Sequence, residues 1–123
     1  MAMKKFINKA ENLTTELIEG YVAAYPEIVR LGAERIVVRA TPKEPGKVGI
    51  VTMGGAGHEP ALIGWVGKGL VDAAALGDIF AAPGAPRVME ALKLADTGSG
   101  VVMQVFNHEG DVLSSNMAIQ KAA

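Results

Sequence analysis

An α/β fold, a mostly parallel sheet flanked by helices, is what this sequence of 123 residues predicts, and three observations carry the prediction. Apolar stripes at helical spacing alternate along the chain with short β-branched runs. A glycine-rich loop follows directly on one of those runs. Two polar loops that end strand-like runs, GGAGHEP after Met53 and NHEGD after Phe106, hold both histidines of the chain. An α/β sheet keeps its ligands there, outside the carboxyl ends of its strands.

From the N-terminus, Leu13, Leu17, Ile18, Tyr21, Val22 and Tyr25 form a one-sided apolar stripe, so Asn12 to Tyr25 is expected to be an amphipathic helix. Asn8, Asn12 and Thr14 are candidate caps, and Pro26 stops the helix because the residue before a proline is pushed out of the α region. Arg35–Ala40 and Lys47–Met53 are short and β-branched, with Pro42, Pro45 and Gly46 between them, and read as two strands. Ala61–Val66, carrying Trp65, reads as a short helix. Gly67–Ala82 has no clean period and is expected to be buried and irregular, with a short strand near Leu70–Ala74. Arg87–Leu94 returns to helical spacing before Gly98 and Gly100. Gly100–Phe106 reads as a strand, Asn107–Asp111 as a turn, and Val112–Ala123 as the start of a further helix.

Composition narrows the chemistry. A formal net charge of -1, from 12 basic and 13 acidic residues, supplies no field for a nucleic-acid backbone or an anionic membrane. The absence of cysteine leaves catalysis to oxygen and nitrogen atoms and fits a reducing compartment. Lys4 and Lys5 precede only two apolar residues, too few for a secretory signal, and no apolar run approaches the ~20 residues of a membrane span, so a cytoplasmic location is expected.

The glycine loop is the most informative stretch. Glycines let a backbone approach a ligand closely and leave amide N–H groups free to donate, which suits a ligand cradle; the plainer alternative is a tight strand-to-helix turn. Gly55, Gly57 and Pro60 spell G-x-G-x-x-P, which fails the dinucleotide fingerprint, and Gly67-Lys68-Gly69 is no Walker A loop. His58 stands directly after the glycines at a strand end, either as a structural group or as a group in contact with substrate. Asp111 is placed to act as a general base or to cap the helix expected from Val112. His108 and Glu109 would need further ligands to hold a metal, and none is expected. Asp78 is read as a cap or a ligand-facing carboxylate.

MKKFIN at the start, then GKVGIVTMGGAGHEP, GWVGKGL, GDIFAAPGAP and GVVMQVFNHEGD, in this order and approximate spacing, resemble the substrate-binding subunit of dihydroxyacetone kinases. The resemblance runs over nearly all of this chain but only over the opening part of the family's longer subunit. It therefore implies one α/β domain over 1–123, an incomplete version of that subunit's first domain. In that family a short ketose is held as a covalent hemiaminal on a histidine, and its terminal hydroxyl is phosphorylated from a different subunit or domain. This implies no cofactor on this chain, with the phosphoryl donor, Mg-ATP or a phosphoenolpyruvate-fed carrier, on a partner. By the same resemblance Gly54, Gly55 and Gly57 shape the substrate pocket, His58 hydrogen-bonds the substrate hydroxyl, and Asp111 accepts the proton of the hydroxyl being phosphorylated.

The chain departs from the family pattern in three places. The covalent histidine belongs to a later region. Met53 and Ala56 stand where the family has a further glycine and a serine. Phe106 stands where the family often has lysine, and an apolar ring cannot supply that hydrogen bond. Together with a chain end inside an expected helix, these features imply the N-terminal half-subunit of a split kinase for dihydroxyacetone or a four-carbon ketose. Such a protein would be incomplete alone and associated with a complementary chain and a nucleotide-binding or phosphoryl-carrier subunit, as a homo- or hetero-oligomer. The alternative is a non-catalytic ketose-binding or regulatory module. In either case an incomplete sheet is expected to expose an edge and an apolar face.

Overall fold

The computed structural model describes residues 3–123. After a 3-10 turn, helix α1 (Leu13–Ala24) buries Ile18 and half-buries Leu17, Tyr21 and Val22, the stripe that its spacing predicts. Five strands follow: β1 (Val29–Ala33), β2 (Ile36–Arg39), β3 (Gly49–Ala56), β4 (Ala73–Ile79) and β5 (Val101–Val105). Helix α2 (Ala85–Ala95) joins β4 to β5, and α3 (Glu109–Ala122) follows β5.

The strands form one sheet in the order β1-β2-β4-β3-β5. β3 pairs in parallel with both β4 and β5, whereas β1–β2 and β2–β4 are antiparallel. The expected α/β sheet with flanking helices is thus present, as a mixed sheet whose parallel part is centred on β3. Alternation along β3 feeds two cores. Val51 and Met53 face α2 and α3 with Ala85, Val88, Ala91 and Ala118, while Ile50 faces α1 with Ile18, Leu62 and Leu76. Each fully buried side chain of this size contributes roughly 1.5–3 kcal/mol.

Three elements differ from the sequence reading. β1 lies in a stretch assigned to no element, and its ladder to β2 is irregular between Leu31 and Ala33. β4 starts at Ala73, further along than expected. Its Ala73, Ala74 and Ala75 are fully buried, so it is a strand of small residues sandwiched under helices on both faces, with little intrinsic strand preference to announce it. Ala61–Val66 contains only a 3-10 turn at Ile63–Trp65.

At the N-terminal ends of β3 and β4, buried Asp72 ties several segments together. Its Oδ1 accepts from Arg39 Nη1 at 2.9 Å, and its Oδ2 accepts from Lys43 Nζ at 2.7 Å and from the Ile50 N–H at 2.8 Å. At the other margin β5 is an edge strand, with Val102 on it and Leu113, Met117 and Ile119 on α3 all exposed. That is the uncovered apolar margin expected of this sheet. No helix of the described residues is long and apolar enough to cross a membrane.

Candidate functional site

The C-terminal ends of the three mutually parallel strands converge on one small cleft. β3 runs past Met53 through Gly54, Gly55 and Ala56 before the chain turns at Gly57, so the first glycines of the motif belong to the strand, not to a loop. Gly55 is required there by close approach: a Cβ would sit 2.6 Å from the Ala81 N and 3.0 Å or less from two backbone atoms of Phe80. The turn after β4 is thereby laid directly on β3, with the Phe80 N–H donating to the Ala56 carbonyl at 2.8 Å. Gly57 has φ +95, a conformation natural to glycine, and its N–H donates to Glu59 Oε2 at 2.9 Å. This turn delivers His58.

The cleft, about 90 Å³, is lined by Gly55 and His58 from the β3 end, Phe80 and Ala82 from the β4 end, and His108, Gly110 and Asp111 from the β5 end. It is far below the ~300–1,000 Å³ of pockets that enclose larger ligands, a size that suits a small polar molecule. A larger groove of about 780 Å³ lies elsewhere, between α2, β5 and the end of α3, and contains neither histidine.

Asp111 lies in the first turn of α3, which begins at Glu109 rather than Val112, and His108 is the N-cap residue with no side-chain capping bond. Asp111 is therefore not the cap. It is a carboxylate within the positive end of the helix dipole, its side chain 4% exposed, with Oδ2 at 3.3 Å from His108 Nδ1. Aromatic and imidazole rings run in a row across the site. Trp65 lies 6.0 Å from Phe106, Phe106 5.8 Å from His108 at 24°, His108 6.1 Å from His58, and His58 5.0 Å from Phe80, all between ring centroids. Phe106 is thus a packing residue that props His108 on one side and Trp65 on the other.

Of the residues singled out in the sequence, Gly55, His58 and Asp111 meet in the cleft. Gly57 lies beneath the Phe80 ring, and Gly54 faces inward, where a Cβ would meet Leu62 and Phe106. Asp78 neither caps a helix nor lines the cleft; it is exposed and ion-paired with Arg35. Phe80 and Ala82 were carried by the GDIFAAPGAP motif but had no role there. Phe80 stands out here as a non-glycine residue with φ +56, 70% exposed, closing one wall. Among the described residues no group of three or more His, Asp or Glu converges as a metal site would require.

Residues 19–123 match the Dak1 domain. The chain belongs to the Dak1 family. It is 41% identical over 121 residues to the dihydroxyacetone-binding subunit DhaK of the PTS-dependent dihydroxyacetone kinase 1 of Listeria innocua, a match that covers 98% of this chain and 36% of that one. Among solved structures, the dihydroxyacetone kinase of C. freundii in complex with AMP-PNP and Mg2+ superposes with a TM-score of 0.90 at 35% identity, over 98% of this chain and 23% of the other. The dihydroxyacetone kinase operon co-activator DhaQ superposes with a TM-score of 0.81 at 33% identity, over 87% of this chain and 33% of the other. This Dak1 chain therefore spans about a third of the length of the curated relative, and its mixed five-stranded sheet is the fold of the corresponding part of these structures.

Proposed function

We propose that this Dak1 chain forms the ketose-binding wall of a dihydroxyacetone-type kinase, holding dihydroxyacetone or a four-carbon ketose with its terminal hydroxyl placed for phosphorylation. The supporting observation is the convergence of His58 and Asp111 on one cleft of about 90 Å³ at the carboxyl ends of parallel strands. His58 hydrogen-bonds a substrate hydroxyl, Gly55 and Gly57 hold the wall that shapes the cleft, and Asp111 supplies the basic end toward which the proton of the reacting hydroxyl leaves. Phosphoryl transfer draws most of its acceleration from positioning and charge neutralisation, so a wall that fixes the hydroxyl is a substantial part of the catalyst.

The phosphoryl donor, Mg-ATP or a phosphoenolpyruvate-fed carrier, is assigned to a partner subunit, and the hemiaminal histidine to the remainder of the Dak1 subunit, on whichever polypeptide carries it. The assembly is assigned to the cytoplasm as a homo- or hetero-oligomer. The test is to combine the chain with that remainder and a nucleotide-binding subunit and to measure phosphorylation of dihydroxyacetone. Activity that falls ~10²–10⁴-fold in Asp111→Asn is the expected result; full activity in that variant would overturn the role of Asp111.

One observation favours a second reading, a ketose-binding or regulatory module without turnover: the likeness to an operon co-activator. The resemblance, which implies a lysine where this chain has the ring of Phe106, points the same way. That reading predicts ketose binding with no phosphoryl transfer in any assembly.

A further inference from the structure

The two glycines that shape the wall of the cleft leave room for one and the same residue. A Cβ on Gly55 would lie 2.9 Å from the Phe80 C and 3.0 Å from its Cα, and a Cβ on Gly57 would lie 2.9 Å from Cε1 of the Phe80 ring. Backbone and side chain of Phe80 are thus both seated on the end of β3 and its turn, with the Phe80 N–H tied to the Ala56 carbonyl at 2.8 Å. Phe80 holds φ +56 there, a left-handed conformation that is uncommon for a bulky residue and persists only where the surroundings over-determine it. Core packing is not what this placement serves, because Phe80 is 70% exposed. What its ring meets is His58, at 5.0 Å between centroids and 53° between planes, a separation and tilt at which aromatic rings attract one another. The ring of His108 stands farther off, at 6.1 Å. Among the described residues no side-chain hydrogen bond or ion pair holds the His58 imidazole, whereas Asp111 is buried and His108 stacks on Phe106.

We infer that Phe80 is a positioning residue of the cleft: its ring, carried on Gly55 and Gly57, holds the His58 imidazole in the orientation that receives the ketose hydroxyl. The inference rests on the kinase reading above. A hydrogen bond to a hydroxyl depends on where the imidazole nitrogen points, and an exposed side chain on a glycine turn samples several rotamers unless a neighbour restricts it. The Phe80 ring is that neighbour, so the entropy of fixing His58 is lost on folding and not on binding the ketose. Phe80 lines the cleft together with His58, which places the restriction where the hydroxyl arrives. The glycines thereby gain a use other than amide donation. The Gly57 N–H already donates to Glu59 Oε2 at 2.9 Å, and what Gly55 and Gly57 supply is the absence of the two Cβ atoms that would push Phe80 away. Asp111 keeps the role of proton acceptor proposed above and stands apart from this contact.

The test uses the kinase assembled from this chain, the rest of the Dak1 subunit and a nucleotide-bearing subunit. Phe80→Ala is expected to lower kcat/KM for dihydroxyacetone by ~10–100-fold. Phe80→Leu, which keeps apolar bulk over Gly57 but has no flat ring, is expected to lose activity as well, and Phe80→Tyr, which restores the ring, to recover most of the loss. A residue that acts through His58 has a further signature. In a His58→Ala background, Phe80→Ala should cost little more, since the group it positions is gone. Losses that multiply in the double variant, or wild-type kcat/KM in Phe80→Leu, would overturn the inference. Independently of turnover, proton NMR of the chain is expected to show the His58 imidazole signals displaced by the ring current of Phe80 and returned toward free-histidine positions in Phe80→Leu. Identical His58 signals in the two proteins would overturn the contact. A wild-type assembly that leaves dihydroxyacetone unphosphorylated would instead overturn the kinase reading, and the NMR comparison would still decide whether Phe80 holds His58.

Discussion

Replacing Gly55 by alanine adds one methyl group at the point where the β3 backbone and the turn after β4 are pressed together. The new Cβ would lie 2.6 Å from the Ala81 N and 2.9 Å from the Phe80 C, against ~3.5–4.0 Å for an ordinary contact between carbon atoms. These are backbone atoms, so no rotamer change can make room. The turn must retreat by about 1 Å, which strains the bond from the Phe80 N–H to Ala56 and the one from the Ala81 N–H to the Asp78 carbonyl, 3.1 Å long. Overpacking of this kind costs ~1–3 kcal/mol and a weakened hydrogen bond a further ~0.5–1.5 kcal/mol. About 2–3 kcal/mol is therefore expected for Gly55→Ala, a fall of roughly 10 °C in Tm for a domain of this size. Because Phe80 and Ala82 belong to the moving segment, the cleft opens as well, and a displacement of about 1 Å is enough to weaken a positioned substrate up to ~100-fold. Thermal unfolding followed by circular dichroism reads the first effect and ketose titration the second. Unfolding within a degree of the wild type would refute the reasoning, since it would mean that the turn is not held against β3.

Two further predictions concern stability. Asp72→Asn retains an acceptor for the Ile50 N–H but removes the charge shared by Arg39 and Lys43. About 2–3 kcal/mol is expected to be lost in urea unfolding, toward the lower end for a broken buried pair because the Lys43 side chain is 19% exposed. Burial pushes the Asp72 carboxyl up, but bonds from Lys43, Arg39 and the Ile50 N–H outweigh it and hold the pKa below the ordinary 3.8. The folded chain then binds fewer protons than the unfolded one at this site. Its contribution is complete above the ordinary value and is lost as pH falls through the folded-state value. The stability gap between wild type and Asp72→Asn should therefore stay constant from neutral pH to about 5 and close below about 4, and a gap that widens in acid would contradict the assignment. Phe106→Ala removes the ring between Trp65 and His108 and is expected to cost about 2 kcal/mol in the same measurement, less than the ~3–5 kcal/mol of a fully buried phenylalanine.

The local elements were legible wherever one residue type repeats at one period. α1 follows from the stripe of Leu13, Leu17, Ile18 and Tyr21, and β3 and β5 from their β-branched runs. The helix over Arg87–Leu94 is the body of α2. The pairing of GGAGHEP with NHEGD around one site was also legible, because both loops end strands of a fold whose ligands gather at such ends. β1 and β4 were not. In β4, Ala73 to Ala75 show no strand preference; they are fully buried and paired with both β2 and β3, a setting that only the tertiary structure supplies.

What the sequence determined by itself is therefore the set of amphipathic faces and the two loops that bear His58 and Asp111, since both are properties of neighbours along the chain. Tertiary structure alone decided the strand order, the antiparallel margin, the burial of Asp72 and the juxtaposition of His108 with Asp111 under a braced ring. Arg39 and Asp72 are separated by 33 positions and Thr52 and Gln104 by 52. Contacts across such distances depend on how whole faces pack and exclude water, and local spacing carries no record of them.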